Sequence, residues 1–423
     1  MAGDWQVMTL AEAVQINPQR PLAKGTEAPF VAMEDIVPSQ RSVEVRQTRI
    51  FEGSGSRFRN GDTLFSRITP CLENGKTAFI SQLPKGTVGH GSTEFIVMSG
   101  KENLSDNLFV YYLVRDPNFR SYSAQQMEGT SGRQRVPVSA LSKLVIELPP
   151  LPEQRAIAHI LGTLDDKIEL NRRMNQTLEA MAQALFKSWF VDFEPFRDQG
   201  MQDSPLGEIP VGWRVGKLEQ IAYFIKGVSY RSDDLQDSDV ALVTLKSVAR
   251  GGGYQPQGLK PYTGQYEFEQ ELRPGEVIVA HTDLTQKAEV LGRAARVQAH
   301  PAVRTLVASL DLVIVRPTQH KASNEFLYGL LSRDEFQEHA YGYANGTTVL
   351  HLSTKALPEY QCIIPPPNII SDYTRIISPL YQLFDSNEIQ SSILVSIRDA
   401  LLPKLLSGEI QIKDAEKFVE RAL

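Results

Sequence analysis

Two short polar loops hold the side chains best suited by type to direct chemistry on a ligand. The first is Gly129-Thr130-Ser131-Gly132-Arg133-Gln134-Arg135, and the second is Asn345-Gly346-Thr347-Thr348-Val349-Leu350-His351. Arg133 and Arg135 can each present two parallel N–H donors to the edge of a guanine, and Gln134 can pair with adenine in the same way. Thr130, Ser131, Thr347, Thr348 and His351 offer single hydroxyl or imidazole contacts. Further cations suit phosphates or base edges: Arg67 and Lys76 early in the chain, and Lys246, His281, Lys287 and Arg293 later. The same loops also read as ordinary solvated surface, and residue type alone does not separate the two readings.

Catalytic constellations are missing from the string. Gly75-Lys76-Thr77 has the tail of a phosphate-binding loop, but Pro70 stands where its first glycine belongs. The seven histidines form no HxxxH or HExxH pattern. Neither a Gly-x-Ser-x-Gly elbow nor a glycine-rich dinucleotide fingerprint occurs, and no Asn-Pro-Pro-aromatic string is present. No catalytic residue, metal site or bound cofactor is therefore assigned to this chain, and a stand-alone enzyme is the weakest reading. Cys71 and Cys362 are far apart and lack metal-type spacing, as small buried thiols in a reduced cytoplasmic setting would.

The elements that must position these loops repeat themselves. Trp5-Gln6-Val7 with Leu10 returns 208 positions later as Trp213-Arg214-Val215 with Leu218, and Pro149-Pro150 returns 216 positions later as Pro365-Pro366. After the first Pro pair, apolar residues alternate at spacings of four and three: Ile157, Leu161, Leu164, Ile168, Asn171, Asn175, Leu178, Ala182, Leu185, Trp189. That is a coiled-coil seam. Its two asparagines either lie buried, fixing register, or mark a locally exposed stretch. A second seam includes Leu380, Phe384, Asn387, Leu394, Leu401 and Leu405, with Pro379 expected to kink its helix and Pro403 to weaken the last turns. Two long helices, each following a globular unit, predict antiparallel pairing with a globular unit at each end.

The expected architecture is α+β, with pseudo-two-fold symmetry. A first globular domain spans 1–151, a helix 152–198, a linker 199–212, a second globular domain 213–366, a second helix 367–408 and a tail 409–423. Strand-like runs such as Glu94–Met98, Leu144–Leu148, Val277–Ala280 and Leu312–Val315 supply the β core, with helices near Asp106–Arg115 and Phe326–Leu331. A chain of 423 residues exceeds a single core. The start shows no cleavable signal and no long uncharged apolar run occurs, so neither secretion nor membrane insertion is expected. Net charge is −6, and residues 1–150 carry 16 basic against 15 acidic side chains. Such near-neutral domains grip phosphate weakly by themselves, so partners must supply much of any electrostatic hold on DNA.

Longer strings carry a resemblance. Pro150-Leu151-Pro152-Glu153-Gln154, Leu164–Asn171 and Thr177–Phe193 resemble the central region of the DNA-specificity subunits of type I restriction-modification systems. Gly207-Glu208-Ile209-Pro210 with Gly212-Trp213 resembles that family's entry into its second recognition domain, and Leu401–Ile410 its C-terminal helix end. The likeness covers essentially the whole chain. The second helix departs from it, starting Pro367-Asn368-Ile369 without the Glu-Gln of the first. The resemblance implies two target-recognition domains, each reading half of a bipartite, asymmetric DNA site, with the helices setting the unread gap. It implies that two methyltransferase subunits dock on the helices and that restriction subunits complete the complex. Trp189, Phe190 and Phe193 close the first helix either as helix packing or as a docking surface for the methyltransferase, and Leu401 and Leu405 are the expected docking residues of the second helix. S-adenosylmethionine would belong to the methyltransferase partner, and ATP with Mg²⁺ to the restriction partner. The competing reading is a coiled-coil adaptor that joins two proteins and reads no DNA; the near-neutral charge favours it and the paired arginines oppose it.

Overall fold

A computed structural model describes residues 5–130, 132–283 and 288–422. It divides into two compact units, one formed by Met1–Leu170 with Ile393–Leu423 and the other by Asn171–Ser392. These limits differ from the boundaries read off the sequence. A long helix buries one stripe against the globular strands nearest to it, so each helix is shared between the units rather than forming a domain of its own.

Unit 1 begins with β1 (Gln6–Thr9), a one-turn helix α1 (Leu10–Ala13) and β2 (Val14–Ile16). There follow β3 (Glu27–Val31), β4 (Gln47–Ile50), β5 (Ser56–Phe58), β6 (Thr63–Ser66), β7 (Thr77–Phe79), β8 (Gly89–Gly91) and β9 (Phe95–Gly100). Helices α2 (Asn107–Arg115), α3 (Pro117–Gln125) and α4 (Val138–Ser142) lead to β10 (Val145–Leu148) and the long α5 (Leu151–Phe190). The main sheets have strand orders β2-β9-β6-β7 and β4-β3-β8-β5, and β1 pairs with β10. Asp106 caps α2 by accepting from the N–H groups of Leu108 and Phe109 at 2.9 and 3.0 Å. The N–H of Asp106 in turn donates to Oε1 of Gln154, whose Nε2 donates to the carbonyls of Leu104 and Pro149. Gln154 is fully buried, so the Glu-Gln of the first long helix ties that helix to its globular neighbour.

Unit 2 lacks this tie. Its second long helix places Ile369 and Ile370 at the matching positions, and both pack into an apolar cluster instead. The segment read as a linker is a short hairpin of β11 (Met201–Gln202) and β12 (Ile209–Pro210), pinned by buried Ile209. Beyond it run β13 (Arg214–Lys217), β14 (Ala222–Lys226), β15 (Val240–Val243), β16 (Lys260–Pro261), β17 (Glu271–Leu272), β18 (Val277–Ala280), β19 (Thr282–Asp283), β20 (Ala294–Arg296), β21 (Thr305–Ala308) and β22 (Leu312–Pro317). Helices α6 (Asn324–Leu331) and α7 (Asp334–Gly342), strands β23 (Ala344–Asn345), β24 (Leu350–Leu352) and β25 (Gln361–Ile364), and the long α8 (Pro367–Leu406) complete the order. The sheets β14-β22-β18-β20 and β16-β15-β21-β17 repeat the unit 1 orders strand for strand. The parallel pair β3 with β8 has its counterpart in β15 with β21.

The two long helices pair antiparallel, as the residue numbers in contact show. In unit 2, Asn171 donates to Gln390 and Ser391 at 2.9 and 3.2 Å, whereas Asn175, further along α5, meets Asn387 and Glu388, earlier in α8. All three asparagines are buried, so the polar stretch of the seam is an internal network and not an exposed gap. In unit 1 the pairing is made by Arg398, which donates to Asp165 at 2.6 Å with both side chains almost wholly buried. Tyr112 donates its hydroxyl to the other oxygen of Asp165 at 2.7 Å. Burial, reinforced by the Asp165 charge, pushes the Tyr112 phenol well up and keeps it a donor.

Two expectations are corrected here. Helix α8 runs through Pro379 without interruption. A proline removes only one backbone donor, and buried Tyr373, Ile377 and Tyr381 hold both sides of that turn in the core. The final segment is not a tail, because α9 (Ile412–Ala422) seats Ala415 and Val419 in the unit 1 core.

Candidate nucleic-acid interface

The two polar loops are built onto matching frames. In unit 1, β6 delivers Arg67, whose N–H donates to the carbonyl of Glu94 at 2.9 Å and whose carbonyl accepts from Val136 N–H at 2.9 Å. In unit 2, β18 delivers His281, whose N–H donates to the carbonyl of Asp311 at 2.7 Å and whose carbonyl accepts from Leu352 N–H at 2.8 Å. One residue before those last donors stand Arg135, bridged to Ile68, and His351, paired with Thr282. Each loop therefore ends where a main strand leaves its sheet, and three segments meet at its root.

In unit 1 the root is charged and rigid. Arg135 grips Glu94 through two guanidinium nitrogens, with Nε 2.9 Å from Oε2 and Nη2 2.7 Å from Oε1. That fork uses the donors Arg135 would need for a guanine edge, so Arg135 serves the shape of the loop in this state. Arg133 and Thr130 are exposed further out, and Gln134 lends its carbonyl to the N–H of Thr69 at 3.0 Å. The Nε of Arg67 is buried without a hydrogen-bond partner among the described residues. Ser131 lies outside the described residues.

In unit 2 the tip residues Thr347 and Thr348 are exposed, as is His351 on β24. Gly346 has φ of +111°, and a Cβ there would lie 2.1 Å from the carbonyl of Val349, so the loop bends where only glycine fits. His281 is held below the usual imidazole range, first by burial and then by the charges of Lys226 and His351, while Asp311 opposes them. Asp311 accepts from the Thr282 hydroxyl at 2.8 Å.

The remaining sequence candidates scatter. Lys76 is tied to the carbonyl of Met33 at 2.7 Å, Arg293 meets Asp334 at 3.2 Å, and Lys246 is exposed on a single turn of 3₁₀-helix. Lys287 lies outside the described residues. Sequence reasoning missed Glu94 and Asp311. The available signal was an acid placed immediately before each long apolar strand, where a strand end meets a loop.

Four of the five expected docking residues are buried within the units. Phe190 and Phe193 lie in the unit 2 core beside Trp213. Leu401 and Leu405 lie in the unit 1 core, and the half-buried Trp189 meets Phe196 edge-on and Tyr373 at a tilt. Apolar side chains closing helix ends found cores of their own before any partner could use them. Among the described residues no cluster of His, Cys, Asp or Glu could hold a metal ion, and no helix is long and apolar enough to cross a membrane.

Known proteins share this organisation. Residues 2–180 match the family described as the type I restriction modification DNA specificity domain. The chain is 28% identical over 349 residues to the type I restriction enzyme MjaIX specificity subunit of Methanocaldococcus jannaschii, covering 80% of this chain and 78% of that protein. It is 27% identical over 422 residues to the HindI specificity subunit of Haemophilus influenzae, covering 87% of this chain and 90% of that one. The crystal structure of the type I restriction-modification system S subunit from M. genitalium shares the fold, with a TM-score of 0.54, 16% identity and coverage of 95% and 96%. The repeated α+β units and paired helices are the fold of that S subunit. Across both repeats the chain is similar to DNA-specificity subunits of type I restriction-modification systems. The adaptor reading loses its support, since what matches is a DNA specificity domain.

Proposed function

We propose that each unit reads one half of a bipartite, asymmetric DNA site through its polar loop, and that the residue count of the two long helices sets the unread gap. The observation carrying this reading is the duplicated frame: two units of one sheet topology end the same strand at the same kind of loop root. Arg133, Thr130, Thr347, Thr348 and His351 are the outward groups available to bases and phosphates. The chain directs methyltransferase and restriction subunits to that site in the cytoplasm. S-adenosylmethionine belongs to the methyltransferase partner, and ATP with Mg²⁺ to the restriction partner. The near-neutral charge of this chain fits a shared grip, in which partner subunits carry much of the phosphate neutralisation.

The test is a methylome. The chain is expressed with its methyltransferase subunit in a host free of such systems, and modified bases are mapped by single-molecule sequencing. The expected result is a two-part motif with a fixed gap that vanishes when this chain is omitted. A stable complex that leaves no new methylation overturns the reading.

A further inference from the structure

The two loop roots place basic side chains of different chemistry on one backbone frame. In unit 1 the Arg67 N–H donates to the Glu94 carbonyl and the Arg135 side chain pairs with the Glu94 carboxylate; in unit 2 the His281 N–H donates to the Asp311 carbonyl and His351 pairs with Thr282 on the neighbouring strand. We infer that the half-site contact of unit 2 is coupled to proton uptake at His281, whereas the contact of unit 1 carries permanent charge. This rests on the reading that both loop roots face DNA.

The equivalence is geometric. Arg67 and His281 occupy the same place after matching strands, with the same two backbone hydrogen bonds to matching neighbours. Arg135 and His351 occupy the same place, each one residue before the N–H donor, Val136 or Leu352, that bonds the carbonyl of Arg67 or His281. An arginine there is charged at every accessible pH, and a histidine switches within the physiological range. The groups facing His281 are Lys226 at the end of β14, His351 on β24 and Asp311 before β22. In the free protein, burial first and then the charge of Lys226 hold His281 below its ordinary value, against the opposing charge of Asp311. A phosphate adds negative charge beside the His281 imidazole and favours its protonated form. The sign follows: affinity is greatest below the free-state value and falls as pH rises through the DNA-bound value. For one coupled proton the fall is about ten-fold per pH unit inside that window.

The experiment measures binding of the reconstituted complex to duplexes bearing its mapped site, between about pH 5.5 and about pH 8 at fixed salt. Affinity is expected to weaken as pH rises. Scrambling one half of the site should remove that dependence, and scrambling the other should keep it. The double variant His281→Arg with His351→Arg should flatten the profile. Lys226→Met, at an exposed position, should move the midpoint to higher pH by removing a repelling charge. Site-specific binding that is flat in pH, or a midpoint unmoved by Lys226→Met, overturns this inference alone. No site-specific binding at any pH overturns the DNA reading and this inference with it.

Discussion

Arg133 and Arg135 look interchangeable in the sequence and differ in the fold. Arg135 is spent on Glu94, while Arg133 is exposed. Replacing Arg133 with alanine should cost roughly 1–3 kcal/mol of discrimination at one base pair. Methylation of the native site by the variant complex reads this out, and unchanged methylation removes Arg133 from the interface. The cysteines separate in the same way. Burial pushes the Cys362 thiol up to about 12, so at about pH 8 roughly one thiol in ten thousand is ionised. Only Cys71, half-buried, should label with iodoacetamide in the native protein. Labelling at Cys362 on the same timescale would show its cover to be loose.

At the scale of elements, the helix pair holds different polar locks in the two units. An asparagine network serves one stretch and the Asp165–Arg398 pair, supported by Tyr112, serves the other. Arg398→Ala leaves a buried carboxylate with one donor and should destabilise unit 1 by about 3–5 kcal/mol. Converting both partners at once, Asp165→Leu with Arg398→Met, should be far milder, because no charge is left stranded. Urea denaturation distinguishes these outcomes, and a single variant no worse than the double would mean the pair is solvated. Gly329 marks another tight approach: a Cβ there would lie 2.2 Å from the Phe186 ring, so α6 meets α5 through a residue without a side chain.

On the scale of the whole molecule, unit 1 is assembled from both ends of the chain. Its core takes Leu10 and Val14 from the start and Leu402, Ala415 and Val419 from the end. Removing residues 408–423 should therefore expose apolar surface in unit 1 and leave the core of unit 2 intact. Limited proteolysis should then cut first within 5–150, and a cleavage pattern identical to that of the full chain would show α9 to be dispensable. The wide separation in sequence also explains why this arrangement was not legible beforehand: no local pattern links Val419 to Leu10.

The sequence by itself determined the duplication, the period of the long helices and their antiparallel pairing, because offset and heptad spacing are local, repeated signals. It also placed the strand runs and both loops, where turn residues punctuate apolar segments. Tertiary structure alone decided which side chains remained available. Pairing of Arg135 with Glu94, burial of Phe190, Phe193, Leu401 and Leu405, and the fastening of α2 by Gln154 all depend on contacts between distant segments. Those contacts are set by packing, since a side chain's type states what it can do and only its neighbours state what it is left free to do.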